Sequence, residues 1–151
     1  METFYQEYID RFQELHKEIM EILHGLPQEA LDWVPGKDMN SMGAIVAHIA
    51  GSERMMVGTF VGGITIDRDR EAEFRAKGAG EAALAALLDE SLEMVRSVCS
   101  KLTLDDLAAK RVRPRDQLQI TVTWALLRSL NHTAMHEGHI QITRQLWEQR
   151  K

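Results

Sequence analysis

The chain has 151 residues, 44% of them hydrophobic and 27% charged, a composition that suits one domain (1–151) with a core of its own. A formal net charge of −5, with no basic cluster larger than Arg111, Arg113 and Arg115, argues against a nucleic-acid or anionic-membrane partner. The single cysteine, Cys99, excludes an intrachain disulfide framework; no apolar run approaches the ~18 residues of a membrane span, and the acidic opening (Glu2, Glu7, Asp10) is unlike a signal peptide, so a cytoplasmic protein is expected.

Tyr5, Tyr8, Phe12, Leu15, Ile19, Ile22 and Leu26 recur at steps of three and four and predict a first helix, stopped by Gly25 and Pro27. A short helical turn over 27–31 and a loop containing Trp33, Pro35 and Gly36 follow. Asn40 or Ser41 is a suitable N-cap for a second helix over about 42–60, whose first half is small and apolar all round and is therefore expected to be buried. Residues 64–79 form a long, highly charged connection. A third helix after Gly80 carries Leu84, Leu87, Leu88, Leu92, Val95, Val98 and Leu102 on one side. Thr103 and Asp106 frame a capping box, a loop surrounds Pro114, and the last helix begins at Thr121 or Thr123 and runs to about Glu148. Strand character is confined to 64–66 and 118–122. The expected fold is all-α, a four-helix bundle with a long connection between helices 2 and 3, which need not form a simple hairpin.

Histidine supplies the candidate chemistry. His16 and His24 read as solvated or cap-side residues of the first helix. His48 is the one strongly polar side chain between Ala44 and Gly51, and by itself reads as a core histidine whose ring nitrogens find partners. His132 and His136 are one turn apart, with Cβ atoms ~6 Å from each other, and so can share a metal ion. His139 lies on the same face, but ~10 Å of rise separates it from His132. Geometry therefore allows either 132 with 136 or 136 with 139. The motif lacks the glutamate of HExxH, so a metalloprotease is not indicated.

Three stretches resemble the DinB/YfiT-like superfamily of metal-binding four-helix bundles: residues 26–35 (Leu-Pro-Gln-Glu-Ala-Leu-Asp-Trp-Val-Pro), residues 40–54 (Asn-Ser-Met-Gly-Ala-Ile-Val-Ala-His-Ile-Ala-Gly-Ser-Glu-Arg) and residues 131–144 (Asn-His-Thr-Ala-Met-His-Glu-Gly-His-Ile-Gln-Ile-Thr-Arg). The last is similar to the family pattern His-x-x-x-His-x-Gly-[Gln/His]. The resemblance implies His48, His132 and His136 as metal ligands, zinc or nickel as the ion, and His139 as a residue of the pocket wall. It also implies thiol chemistry, since superfamily members include transferases and isomerases that use bacillithiol, mycothiol or glutathione, and it implies a homodimer.

Three neutral imidazoles leave coordination positions open, the pattern of a catalytic site, where a divalent ion acidifies a bound water to a pKa of about 7 or a thiol to its thiolate. The function expected is a metal-dependent thiol S-transferase or hydrolase acting on a small molecule, with a low-molecular-weight thiol as co-substrate in the first case. A non-catalytic metal-stabilised bundle with a binding or stress-response role is the alternative. Arg128, one turn before His132, is a candidate for binding a substrate carboxylate, or else a solvated or ion-paired surface arginine. Ser52 and Met55 fall one and two turns after His48 as candidate pocket residues, with packing the first reading for Met55. Glu53 and Glu137 point elsewhere on their helices, and neither is assigned as a general base. Cys99 reads as a buried structural thiol.

Overall fold

Helix α1 (Thr3–Leu23) buries Tyr5, Tyr8, Ile9, Phe12, Leu15, His16, Ile19 and Leu23. The computed structural model describes residues 1–113 and 116–150. The buried set follows the 3.6-residue period more closely than the expected stripe, so Leu23 replaces Ile22, which is only partly buried. The helix ends at Leu23, and Gly25 takes the positive φ of +72° that a side chain would resist. Leu26 thus lies beyond the helix, half-buried against the core.

A short helix, α2 (Gln28–Asp32), leads to α3 (Met42–Glu53), whose Ser41 cap accepts a hydrogen bond from the Ala44 amide at 3.2 Å. The second helix does not run on as a regular α-helix. From Arg54 to Val61 it widens into a π-helical segment, closed by the Gly62 amide bonding to the Val57 carbonyl at 2.9 Å. π-Segments of this kind occur often at functional sites. Gly58 in this segment lies close under Met94 of the neighbouring helix, whose side chain would have to shift for a Cβ there.

The charged connection is not merely a loop. It contains α4 (Arg70–Arg75), capped by Asp69 and packed on α3. Helix α5 (Glu81–Cys99) follows the expected apolar face up to Val98, while Leu102 falls past its end. Thr103 and Asp106 form the capping box of a 3-10 turn (Leu104–Ala108). Two short strands, β1 (Lys110–Val112) and β2 (Gln119–Thr121), then pair antiparallel with Arg111 opposite Ile120. The expected strand character at 118–122 is thus present, and that at 64–66 is not. Of the expected basic cluster and loop, Pro114 and Arg115 lie outside the described residues. Helix α6 (Val122–Gln149) starts at Thr121, whose hydroxyl accepts from the Trp124 amide at 3.1 Å.

Helices α1 and α3 each pack against both α5 and α6, so α1 and α3 stand at opposite corners of a four-helix bundle. The crossings are made by the α1–α3 and α5–α6 connections. The long connection between α3 and α5 joins neighbours and carries α4 on the way.

The interior is divided. One apolar cluster gathers Tyr5, Phe12, Val57, Val95, Val122 and Leu126; the other gathers Ile19, Leu31, Met42, Ile49, Leu84 and Ile140. Between them in every long helix fall polar residues: His16 in α1, Glu53 in α3, Ser91 in α5, and Ser129, His132 and Thr133 in α6. Cys99 sits fully buried in the first cluster, where burial pushes its thiol up to about 12 and makes it unreactive. Among the described residues no helix is long and apolar enough to cross a membrane.

Candidate metal centre

His48 on α3 and His132 and His136 on α6 meet in this polar layer. Nε2 of His132 lies 3.3 Å from Nε2 of His48 and 3.2 Å from Nε2 of His136. One ring nitrogen from each of the three falls within 4.8 Å of the others. Four ligands placed tetrahedrally at ~2.0–2.1 Å from a zinc ion have nitrogens roughly 3.4 Å apart, so two of the three separations already match a shared ion. The helical turn between His132 and His136 supplies one pair, and the packing of α3 on α6 brings the third ring to it.

The donor set is compatible with a divalent cation. Nδ1–H of His48 donates to Oε2 of Glu73 at 3.0 Å, which leaves the His48 Nε2 lone pair facing the cluster. Nδ1 of His132 is buried and has no hydrogen-bond partner among the described residues. Ligation through Nε2 would fix the proton on this unpartnered Nδ1, so the fit of His132 rests on its Nε2 facing the other two rings and not on an orienting partner. Burial, then the neighbouring His136 and His48 and the charges of Arg128 and Arg68, pushes the pKa of His132 down to about 3. Burial, then His48, His139 and Arg128, pushes His136 down to about 4. Burial also lowers His48, against an opposing pull from Glu73. All three are neutral at pH 7, the state that binds metal.

These shifts make metal-free stability depend on pH. An unfolded histidine takes up a proton near pH 6.5, whereas the folded cluster stays neutral until about pH 4. As pH falls from 6.5 toward 4 the unfolded chain binds the extra protons, so stability is lost. The thermal midpoint of metal-stripped protein should drop between pH 7 and pH 5, and a His132→Ala/His136→Ala variant should show a flatter profile over that interval.

Glu73 is the residue that sequence reasoning missed most plainly. It sits on α4, in the segment read as a highly charged connection, and its carboxylate is almost buried between His48 and Arg68. Arg68 grips it twice, Nε to Oε1 at 2.6 Å and Nη2 to Oε2 at 2.7 Å. Arg68 Nη2 also lies 3.4 Å from His48 Nδ1, but a protonated Nδ1 cannot accept, so Arg68 holds the carboxylate and the carboxylate holds the ring. The Phe74 ring stacks on His48 at 4.4 Å between centroids. This approach depends on Gly51, where a Cβ would collide with the Glu73 carboxylate. A carboxylate that orients a ligating imidazole typically accounts for ~10–100-fold in metal affinity. Glu73→Ala should show a loss in that range by competition with a chelator, while its helical content stays unchanged.

The other candidate residues divide between two sides of the cluster. Ser52, buried one turn after His48, and Arg128, exposed one turn before His132, both line a cleft of about 570 Å³. Met55 lines the same cleft and also packs against the first apolar cluster. His139 is elsewhere: its Nδ1 lies 3.2 Å from Nδ1 of His136, and it lines a second, smaller concavity with His136, Met39 and Ile142. His24 is exposed and bonded to Glu81 at 3.0 Å, as a cap-side residue would be.

His16 departs from the solvated reading, and Glu53, which points away from the histidine pocket as expected, is its partner. His16 is buried, and its Nε2 lies 2.9 and 3.0 Å from the two Glu53 oxygens. Glu53, fully buried, also accepts from Ser91 Oγ at 2.5 Å and from Thr133 Oγ1 at 2.7 Å. This one carboxylate joins all four long helices, through His16 of α1, Ser91 of α5 and Thr133 of α6. A polar residue aimed away from the histidine pocket looks like a surface residue in sequence; here the opposite face is interior as well.

The DinB superfamily matches residues 11–140, a span that includes every residue of the cluster. Among solved structures, a conserved protein from Enterococcus faecalis is similar over 97% of each chain, with a TM-score of 0.80 at 14% identity. A DinB-like protein from Bacillus cereus covers 93% of this chain and 90% of its own, with a TM-score of 0.73 at 13% identity. YfiT from Bacillus subtilis, described as a probable metal-dependent hydrolase with an unusual four-helix bundle topology, covers 96% and 89%, with a TM-score of 0.77 at 17% identity. No curated protein matches the sequence. These likenesses share the diagonal bundle's fold, and the family match extends over most of the chain: it belongs to the DinB superfamily.

Proposed function

We propose that the chain is a divalent-metal-dependent enzyme acting on a small molecule, a hydrolase or a low-molecular-weight-thiol S-transferase, with His48, His132 and His136 as the ligands of one zinc or nickel ion. The observation that carries the reading is the convergence of three neutral imidazoles, one of them oriented by a buried carboxylate, beside a cleft large enough for a small ligand. YfiT's description as a probable metal-dependent hydrolase supports it. When bound, the ion would act as a Lewis acid and make a water or thiol nucleophilic near neutral pH.

The protein's own part is positioning. Glu73, clamped by Arg68, holds the His48 tautomer. Arg128 and Ser52 stand in the cleft on one side of the rings and His139 lines a concavity on the other. No fourth His, Cys, Asp or Glu joins the cluster among the described residues, which favours an open site over a closed structural one. A stripe of exposed apolar residues on α6, Leu127, Met135, Ile142 and Leu146, suits coverage by a second copy, and a cytoplasmic homodimer is part of this reading.

The test is a panel of activated esters, amides and electrophiles, with and without cysteine-derived thiols, assayed with zinc- and nickel-loaded protein. Turnover that vanishes on chelation and in His136→Ala is the expected result. Full metal occupancy with no turnover across the panel would favour the non-catalytic bundle.

A further inference from the structure

We propose that the cleft beside the histidine cluster is a binding site for a small organic oxyanion, a carboxylate or phosphate carried on a short apolar body, with Arg70 and Arg128 as its recognition pair. This names a substrate class for the centre described above and rests on reading that centre as an enzyme site.

In a chain of net charge −5, four arginines converge on one cleft, Arg68, Arg70, Arg113 and Arg128, and no acidic residue lines it. They come from four separate places: the segment before α4, the first residue of α4, the end of β1 and α6. Two of the four are already committed. Arg68 is clamped to Glu73, and Arg113 donates to Asp116 through Nε at 2.9 Å. The other two are not: among the described residues Arg70 and Arg128 make no ion pair. Arg70 rests over the Phe74 ring at 4.8 Å, a contact that holds its plane without neutralising it. Arg128 is near enough to the cluster for its charge to help hold down protonation of His132 and His136. Two uncompensated guanidiniums facing a half-enclosed space present paired N–H donors whose natural complement is a planar or tetrahedral oxyanion.

The rest of the wall is apolar. Met55 and Phe60 come from the π-helical segment, and Trp124 from the first turn of α6. Arg113 lies over the Trp124 ring at 5.4 Å, and both line the cleft. The widening of the helix after Glu53 is what brings Met55 and Phe60 to the same wall. A cleft of about 570 Å³ with a charged rim and an aromatic floor takes a ligand of roughly one ring and one acidic group.

Calorimetric titration with phenylacetate, phenyl phosphate and the neutral phenylacetamide tests this, using metal-loaded and metal-stripped protein. Both anions should bind, and the amide should bind at least about tenfold more weakly. The tighter of the two anions identifies the acid group. Arg70→Gln and Arg128→Gln, both exposed on helices, should each weaken the anions by about tenfold, whereas the remote surface change Arg11→Gln should not. The arginine effect should persist in metal-stripped protein. Failure to take up metal would therefore sink the enzyme reading while leaving the anion preference intact. Equal binding of amide and anions, or arginine variants that bind as well as wild type, would overturn the oxyanion site even in fully metal-loaded protein.

Discussion

Replacing His132 with alanine should abolish stoichiometric metal binding while leaving the bundle folded. His132 is the middle ring of the three, with its Nε2 within 3.3 Å of both other Nε2 atoms, so its loss leaves two ligands that no longer share a neighbour. Removing an outer carboxylate costs ~10–100-fold in affinity, and removing the central ligand should exceed that range. The fold should tolerate the change for a specific reason. Nδ1 of His132 has no hydrogen-bond partner among the described residues, so truncation breaks no further polar contact. It also removes a group whose pKa of about 3 disfavours the folded state in acid. The expected signature is about one equivalent of zinc or nickel per chain in the wild type by mass spectrometry, and almost none in His132→Ala, at similar helical content by circular dichroism. A His48→Ala/His132→Ala double variant that still carried a full equivalent would place the metal elsewhere.

The local features of this protein were legible because they are written locally. The Ser41 and Thr121 caps, the Thr103–Asp106 box and the i, i+4 histidines each depend on residues within one turn, and all four recur in the structure. The features that escaped are those that depend on distant partners. Glu73 reads as one acid among many charges until α4 folds onto α3 across Gly51. His16 lies beside an apolar stripe, and nothing within its own helix indicates that Glu53 will face it. The diagonal placement of α1 and α3 is likewise invisible to periodicity, which reports a buried face but not which helix buries it. The π-helical segment over Arg54–Val61 has no signature in the helical periodicity of that stretch. The histidine cluster stands between these cases: its α6 pair was plain, and its third member needed either a family pattern or a fold.

Glu53→Ala should be the most destabilising single substitution in the polar layer, lowering stability by ~3–5 kcal/mol, the range for removing one partner of a buried ionic network. A domain of this size has ~5–15 kcal/mol in total, so the change consumes a large share of it. At ~2–4 °C per kcal/mol for a chain of about this length, the thermal midpoint should fall by roughly 10 °C. The loss comes from what is left behind. His16, Ser91 and Thr133 all direct polar atoms at the vanished carboxylate, and each is buried where water cannot replace it. Glu53→Gln should lose less, since it keeps one acceptor oxygen but turns an N–H toward donors. Replacing the pair together, His16→Leu with Glu53→Met, should recover much of the loss, because an apolar substitute of similar volume carries no desolvation cost. Such a recovered variant makes the network's purpose measurable. Thr133, bonded to Glu53, is the neighbour of His132, and Glu53 follows His48 by little more than one turn of α3. If the carboxylate serves to fix α3 against α6, the apolar double variant should melt near the wild type yet bind metal more weakly. If it binds metal as tightly as the wild type, the layer contributes to stability alone, and the alignment of the three histidines is set by the apolar clusters on either side.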